Sequence, residues 1–157
     1  MRPTRLGTLA VVALVAALVT YLAFRALYGD LPPVPASMAA TVFVLAVAEL
    51  FLAPSVRARL EGRPRTKPIM PIAVARTAAF AKASSSIGAL VAGSMAGAEA
   101  YVLRRSDLPA ARVDAVRGGL VFAAALLLVV AALRLERVCR ADPPPPDQSP
   151  PPVPGGP

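Results

Sequence analysis

Two acidic residues lie inside long apolar stretches of this 157-residue sequence, and they are the side chains best placed for chemistry there. Glu49 interrupts the apolar stretch 36–53, and Glu99 lies near the end of the stretch 83–103. An ionised carboxylate in apolar surroundings is costly unless a cation or water reaches it. Such residues either carry a proton or a cation, or they hold neighbouring helices in register through ion pairs.

Three basic residues are candidates to pair with these acids. Arg76 and Lys82 are expected at the same end of the apolar helices as Glu49. Arg25 is expected at the opposite end, beside Glu99. We therefore predict two intramembrane charge pairs, one at each end, in which Glu49 contacts either of its two basic neighbours. Because both acids lie within about two turns of an interface, pairing that fixes helix register is favoured over a proton or cation path.

Other reactive groups are few. Ser84, Ser85 and Ser86 follow Lys82, and a Ser–Lys pair can act in membrane peptidases, but serines in membrane helices usually donate to their own helix carbonyls. Cys139 is the only cysteine, in a basic segment, and the chain has no histidine. Without the commonest general base and metal ligand, the sequence predicts a protein that is not an enzyme, with no cofactor and no metal site.

Four apolar stretches must position these residues, and they cover 6–24, 36–53, 83–103 and 115–133. Each approaches the length of about 20 residues that a transmembrane helix needs. Only 17% of the chain is charged, against about a quarter in soluble domains. We predict an all-α integral membrane bundle of four transmembrane helices over residues 1–140. The first stretch exceeds the apolar core of a signal peptide, so we expect it to be retained.

Basic residues flank these stretches unequally. Twelve Lys and Arg lie at the N-terminus, between the second and third stretches (counted through Lys82) and after the fourth, whereas five lie in the other two connections. The positive-inside rule then places both termini in the cytoplasm of a multi-pass plasma membrane protein. The same placement makes nucleic acid an unexpected partner despite a net charge of +8. Residues 141–157 contain nine prolines and are predicted to form a disordered cytoplasmic tail.

The third stretch carries small residues at every fourth position: Ala81, Ser85, Ala89, Gly93 and Gly97. Small residues let the backbones of membrane helices approach closely. We therefore expect this helix to be central in the bundle, packing through Ser85, Ala89, Gly93 and Gly97. The same face could instead pair two copies of the chain.

Three separated motifs occur in order along the chain. They are Met1-Arg2-Pro3-Thr4-Arg5-Leu6-Gly7-Thr8-Leu9, then Ala75-Arg76-Thr77 with Ala81-Lys82-Ala83-Ser84, Gly88 and Gly93, and finally Leu135-Glu136-Arg137-Val138-Cys139-Arg140. Together they resemble an uncharacterised actinobacterial membrane protein family, the domain of unknown function 3180. The resemblance covers most of residues 1–142 and implies a small four-helix membrane protein. It implies no established activity.

Two hypotheses about function follow. The first is a non-enzymatic accessory or scaffold protein of the lipid bilayer that works with a second copy or with an unidentified membrane protein partner. The second is a small oligomeric transporter or channel subunit that uses Glu49, Glu99, Arg76 and Lys82. Four spans are few for a transporter that acts as a monomer, so the second hypothesis requires an oligomer.

Overall fold

The computed structural model describes residues 5–27, 35–61, 70–105 and 109–140. In these residues the chain forms four α-helices and one short 3₁₀ turn. The helices are α1 Leu6–Leu27, α2 Ala36–Leu60, α3 Pro71–Val102 and α4 Pro109–Arg140, and the 3₁₀ turn is Leu103–Arg105. The all-α prediction is therefore confirmed. The tail predicted at 141–157 lies outside the described residues.

Prolines define several helix boundaries. Pro71 and Pro109 are the first residues of α3 and α4, where the missing N–H costs nothing because it has no partner in the helix. Pro35 precedes α2 in an extended backbone conformation. The second apolar stretch was predicted to end at residue 53, but α2 continues through Pro54 to Leu60. Pro54 is exposed, and the helix keeps packing on its inner side, where its neighbour Ala53 is buried.

The helices pack in the order α1, α3, α4, α2, so that α3 and α4 are central. Helices α1 and α3 run parallel, because Gly93 and Gly97 of α3 meet Ala13 and Ala17 of α1 in the same order. Helix α4 runs antiparallel to α3, and α2 lies along α4. In the described residues α1 packs extensively only on α3 and α2 only on α4, which makes the arrangement an open row rather than a closed bundle.

Each end of the row has its own core cluster. At one end, here called the basic end, Ala53, Val56, Ala81 and Leu135 pack together from α2, α3 and α4. At the other, the aromatic end, Tyr101 and Val102 pack with Tyr21, Phe24 and Ala115 from α1 and α4. The Tyr101 ring meets the Tyr21 and Phe24 rings edge-on, with centroids 6.2 and 6.3 Å away. Arg104 donates to the Tyr21 hydroxyl at 3.1 Å and caps that ring.

Three of the four helices are long and apolar enough to cross a membrane: Leu6–Leu27, Ser37–Leu60 and Val113–Arg140. Helix α3 does not reach that hydropathy, although the sequence predicted four spans. The composition of α3 explains the difference. It is rich in Ala, Gly and Ser, which allow close approach of its backbone to α1 and are less apolar than Leu and Val.

The helices are also offset from one another along their axes. The contacts of Gly93 with Ala13 and of Gly97 with Ala17 place the start of α1 roughly 15 residues, or about 22 Å, above the start of α3. Below α1, the helices α2, α3 and α4 continue as a three-helix segment at the basic end. Its exposed cations in the described residues are Arg57, Arg59, Arg76, Lys82, Arg134, Arg137 and Arg140.

Candidate functional site

Glu49 lies on the inner face of α2. It belongs to a row spaced three or four residues apart, with Ala46, Ala53 and Val56, and this spacing forms one face of a helix. The Glu49 side chain is only 1% exposed, which makes it one of the most deeply buried side chains in the described part of the chain. Small neighbours at positions 46 and 53 leave room for the carboxylate between the helices.

Neither oxygen of the Glu49 carboxylate has a hydrogen-bond partner in the described structure. The Ser84 hydroxyl of α3 approaches the carboxylate, but no hydrogen bond of standard geometry joins them. The two serines that follow donate to the Lys82 carbonyl of their own helix, Ser85 at 2.9 Å and Ser86 at 3.1 Å. These two hydroxyls therefore bond to their own helix, as expected for serines in membrane helices, and do not form a Ser–Lys pair.

The structure does not bring Glu49 together with its predicted basic partners. Arg76 and Lys82 are both exposed, and neither forms an ion pair with Glu49 among the described residues. Lys82 lies two residues before Ser84, which turns it about 200° around α3 and away from Glu49. Arg76 lies about 12 Å further along the helix axis than Ser84. Glu49 is consequently a buried acid without a protein cation beside it.

Glu99 occupies a different environment at the aromatic end. Its half-buried carboxylate lies against Gly118 of α4, where a Cβ atom would collide with a carboxylate oxygen. Asp114 lies one turn before that glycine and is close enough to repel Glu99 electrostatically. Arg25 is exposed and forms no ion pair with Glu99 in the described region. Asp114 was not among the site residues predicted from the sequence; its four-residue spacing from Gly118 puts it on the same face of α4.

Glu136 provides a second buried carboxylate, and it is paired. It is 5% exposed, and Arg140 of the same helix donates to its Oε1 from Nη2 at 2.8 Å. Charge-assisted hydrogen bonds of this kind offset the cost of burying a carboxylate. The basic end therefore contains two buried glutamates, one held by a cation and one not. In the sequence Glu136 was named only as part of the third motif, although an acid four residues before an arginine predicts this pair.

The row of small residues on α3 winds around the helix. A step of four residues turns about 40°, so the row changes neighbours along its length. Ala81 packs in the cluster of the basic end, whereas Gly93 and Gly97 contact the backbones of Ala13 and Ala17. A Cβ atom on either glycine would collide with α1. Ser85 and Ala89 are buried between these points. The glycine face is thus occupied by α1 of the same chain.

The remaining chemistry of the described residues is sparse. No group of three or more His, Cys, Asp or Glu side chains that could hold a metal ion occurs in that part of the chain. Cys139 is a free thiol, partly buried beside the cluster of the basic end. The unpaired carboxylate of Glu49 is therefore the feature of the described structure that most needs a chemical explanation.

Comparison with known proteins gives a family but no activity. No curated protein and no solved structure matches the chain. One family model, described as a protein of unknown function (DUF3180), matches residues 9–143, which include α2, α3, α4 and most of α1. This match confirms the resemblance seen in the sequence motifs. The chain belongs to the DUF3180 family.

Proposed function

We propose that the chain is a multi-pass protein of the plasma membrane that works without catalysis, by associating with another membrane protein. In this proposal all four helices cross the bilayer and both termini are cytoplasmic. The support is the distribution of charge: seven exposed cations surround the basic end, whereas the five cations of the aromatic end among the described residues are Arg25, Arg104, Arg105, Arg112 and Arg117. The positive-inside rule assigns the more basic end to the cytoplasm.

One observation supports association with another membrane protein. An apolar groove of about 550 Å³ runs between α2 and α4, at the open edge of the row. Four alanines line it, Ala39, Ala40, Ala123 and Ala124, together with three larger apolar side chains. Lipid chains do not require small residues, whereas a second helix does, because its backbone must come close for dispersion contacts to form. The occupant that fits the groove best is an apolar transmembrane helix of another protein.

Photo-crosslinking from inside the membrane tests this function. A photoreactive residue at Ala123, which is exposed in the groove, should give an adduct of one defined protein mass. The matched control is Leu14, which is 69% exposed at about the same depth on α1 but does not line this groove. We expect no protein adduct from Leu14. If both positions gave only lipid adducts, the proposal would be wrong. The mass of a protein adduct distinguishes a second copy of the chain from a different partner.

A second candidate function is a transporter or channel subunit, and the burial of Glu49 without a partner favours it. A protein with only four helices would need to oligomerise to enclose a path for a proton or a cation. In vesicles containing the purified protein, this function requires a proton or cation flux that Glu49→Gln abolishes. Glu99→Gln serves as the comparison, since Glu99 lies half-buried at the opposite end of α3. Equal flux through wild type and empty vesicles would eliminate the candidate.

A further inference from the structure

The Glu49 carboxylate sits where a negative charge is hard to maintain. Both oxygens are buried and without a hydrogen-bond partner, and the side chain is 1% exposed. An isolated carboxylate in such surroundings costs so much solvation energy that it takes up a proton instead of remaining charged, unless a cation is held beside it. The question is therefore what neutralises Glu49.

The groups around Glu49 supply no cation in the described structure. Helix α2 presents Ala46, Ala53 and Val56 on the same face. Helix α3 presents Ser84 and the buried Ser85, while its Lys82 points outward. At this level α4 contributes buried apolar side chains, chiefly Leu128, Ala131, Ala132 and Leu135, and its Arg134 is exposed. Arg140 forms an ion pair with Glu136. Arg5, just before α1, is exposed.

We propose that Glu49 and Ser84 form a proton-binding site in which the Glu49 carboxyl is neutral and its O–H donates to the Ser84 hydroxyl oxygen. A proton satisfies the geometry because it removes the charge without requiring any space. Ser84 is 4% exposed and lies on the opposing helix, so it is positioned to accept this hydrogen bond once the carboxyl rotates. The other oxygen of the neutral acid is a weaker acceptor than a carboxylate, and leaving it unpaired costs far less.

Losing this proton would have a structural consequence. The charge would appear between α2 and α3, and water or a cation would have to enter to stabilise it. Helix α2 lies at one end of the row and packs extensively on α4 alone, so it can move without separating α1 from α3. The site thus couples proton release to separation of α2 from α3. This role does not depend on a partner in the α2–α4 groove, and the two proposals can fail separately.

Carbodiimide labelling tests the site on the full chain in membranes. A protonated carboxyl transfers its proton to a carbodiimide nitrogen while the carboxylate oxygen bonds to the central carbon. The resulting O-acylisourea rearranges to a stable N-acylurea, so the reaction is an addition with no leaving group. Dicyclohexylcarbodiimide at neutral pH should label Glu49. Its matched control is Glu136, which is also buried but is held as a carboxylate by Arg140 and should stay unlabelled. Peptide mass spectrometry locates the label.

The pH dependence and a second measurement complete the test. Labelling of Glu49 should fall about tenfold per pH unit once the site begins to ionise. The infrared carbonyl band of protonated carboxyls should be present in wild type, lose intensity in Glu49→Gln and keep its intensity in Glu136→Gln. Ser84→Ala should keep the band but change its frequency, because the acid loses its hydrogen-bond acceptor.

If Glu49→Gln does not accumulate in membranes, the labelling of the wild-type protein still tests the proposal. Label on Glu136 but not on Glu49, or a carbonyl band whose intensity is unchanged in Glu49→Gln, would overturn the proposal.

Discussion

At the scale of single residues, Glu49 and Glu136 show that two buried carboxyl groups can differ in whether a cation lies beside them. Both are at least nine-tenths buried at the basic end, yet only Glu136 has a cation, Arg140, within hydrogen-bonding distance. Removing a cation from a buried pair leaves an uncompensated charge, which is more damaging than never having had the pair. Glu49→Gln leaves no cation without its partner, because none contacts Glu49 in the described structure, so it should cost little stability.

Arg140→Gln is therefore expected to destabilise the protein. We predict a loss of about 1–3 kcal/mol, below the range for a fully buried pair because the Arg140 side chain is one-third exposed. Thermal unfolding in mild detergent measures the change. The matched control is Arg137→Gln on the same helix, an exposed arginine without an ion pair among the described residues, which should shift stability by less than about 0.5 kcal/mol. Equal losses from the two variants would contradict the structural role of the Glu136–Arg140 pair.

At the scale of helices, the closest packing in the row joins α1 to α3. Gly93 and Gly97 bring α3 against the backbones of Ala13 and Ala17, which are themselves small and four residues apart. At both positions α3 has no room for a side chain, so the glycines lie directly against the α1 backbone. Since α1 buries only Leu9 and Ala16 of its own residues, it is held by this contact and by the aromatic end, where Tyr21 and Phe24 meet Tyr101.

A single methyl group tests this contact. Gly93→Ala adds a Cβ that collides with the Ala13 backbone, which cannot rotate away as a side chain can, so α1 must shift. We expect a loss of about 1–3 kcal/mol. Gly119→Ala is the control, because a Cβ there meets nothing within 4 Å and should raise helix stability by up to about 1 kcal/mol. Opposite signs for the two substitutions in the same unfolding assay are the expected result. A neutral Gly93→Ala would mean that α1 is held elsewhere.

The sequence predicted the existence of the helices better than their orientation. Long apolar stretches are enough to identify α1, α2 and α4, and the small residues of α3 indicated a central helix. A helix that is apolar on all sides does not reveal which face meets a neighbour. The proposed pairing of Glu49 with Lys82 assumed that both side chains point inward. The structure turns Lys82 outward and leaves Ser84 opposite Glu49.

Contacts within one helix were more accessible to prediction. The Glu136–Arg140 pair follows from a spacing of four residues and needs no knowledge of neighbouring helices. The same holds for the hydrogen bonds that Ser85 and Ser86 donate to the Lys82 carbonyl. Asp114, by contrast, meets Glu99 only because α4 runs antiparallel to α3 in one particular register. Register between helices depends on shape complementarity, which a residue pattern does not encode directly.

At the scale of the whole molecule, the role of α3 decides the topology. If α3 crosses the membrane with the other three helices, the basic end lies on one side and the aromatic end on the other. If α3 stays on one side, the chain has three spans and its two ends lie on opposite sides. The first arrangement agrees with the packing, because α3 lies between α1 and α4 and runs parallel to α1 over the contacts at Gly93 and Gly97.

Cysteine labelling on intact cells distinguishes the two arrangements. On a Cys139→Ser background, Met70→Cys and Leu103→Cys place one thiol just before and one just after α3, at positions that are 73% and 62% exposed. A maleimide that does not cross membranes should label Leu103→Cys in intact cells and Met70→Cys only after lysis. This result follows if α3 spans the bilayer with the cations of the basic end inside. Labelling of both thiols in intact cells, or of neither, would place the two ends of α3 on the same side. The exposed cations at the two ends of the row could then no longer be assigned to opposite sides of the membrane through α3.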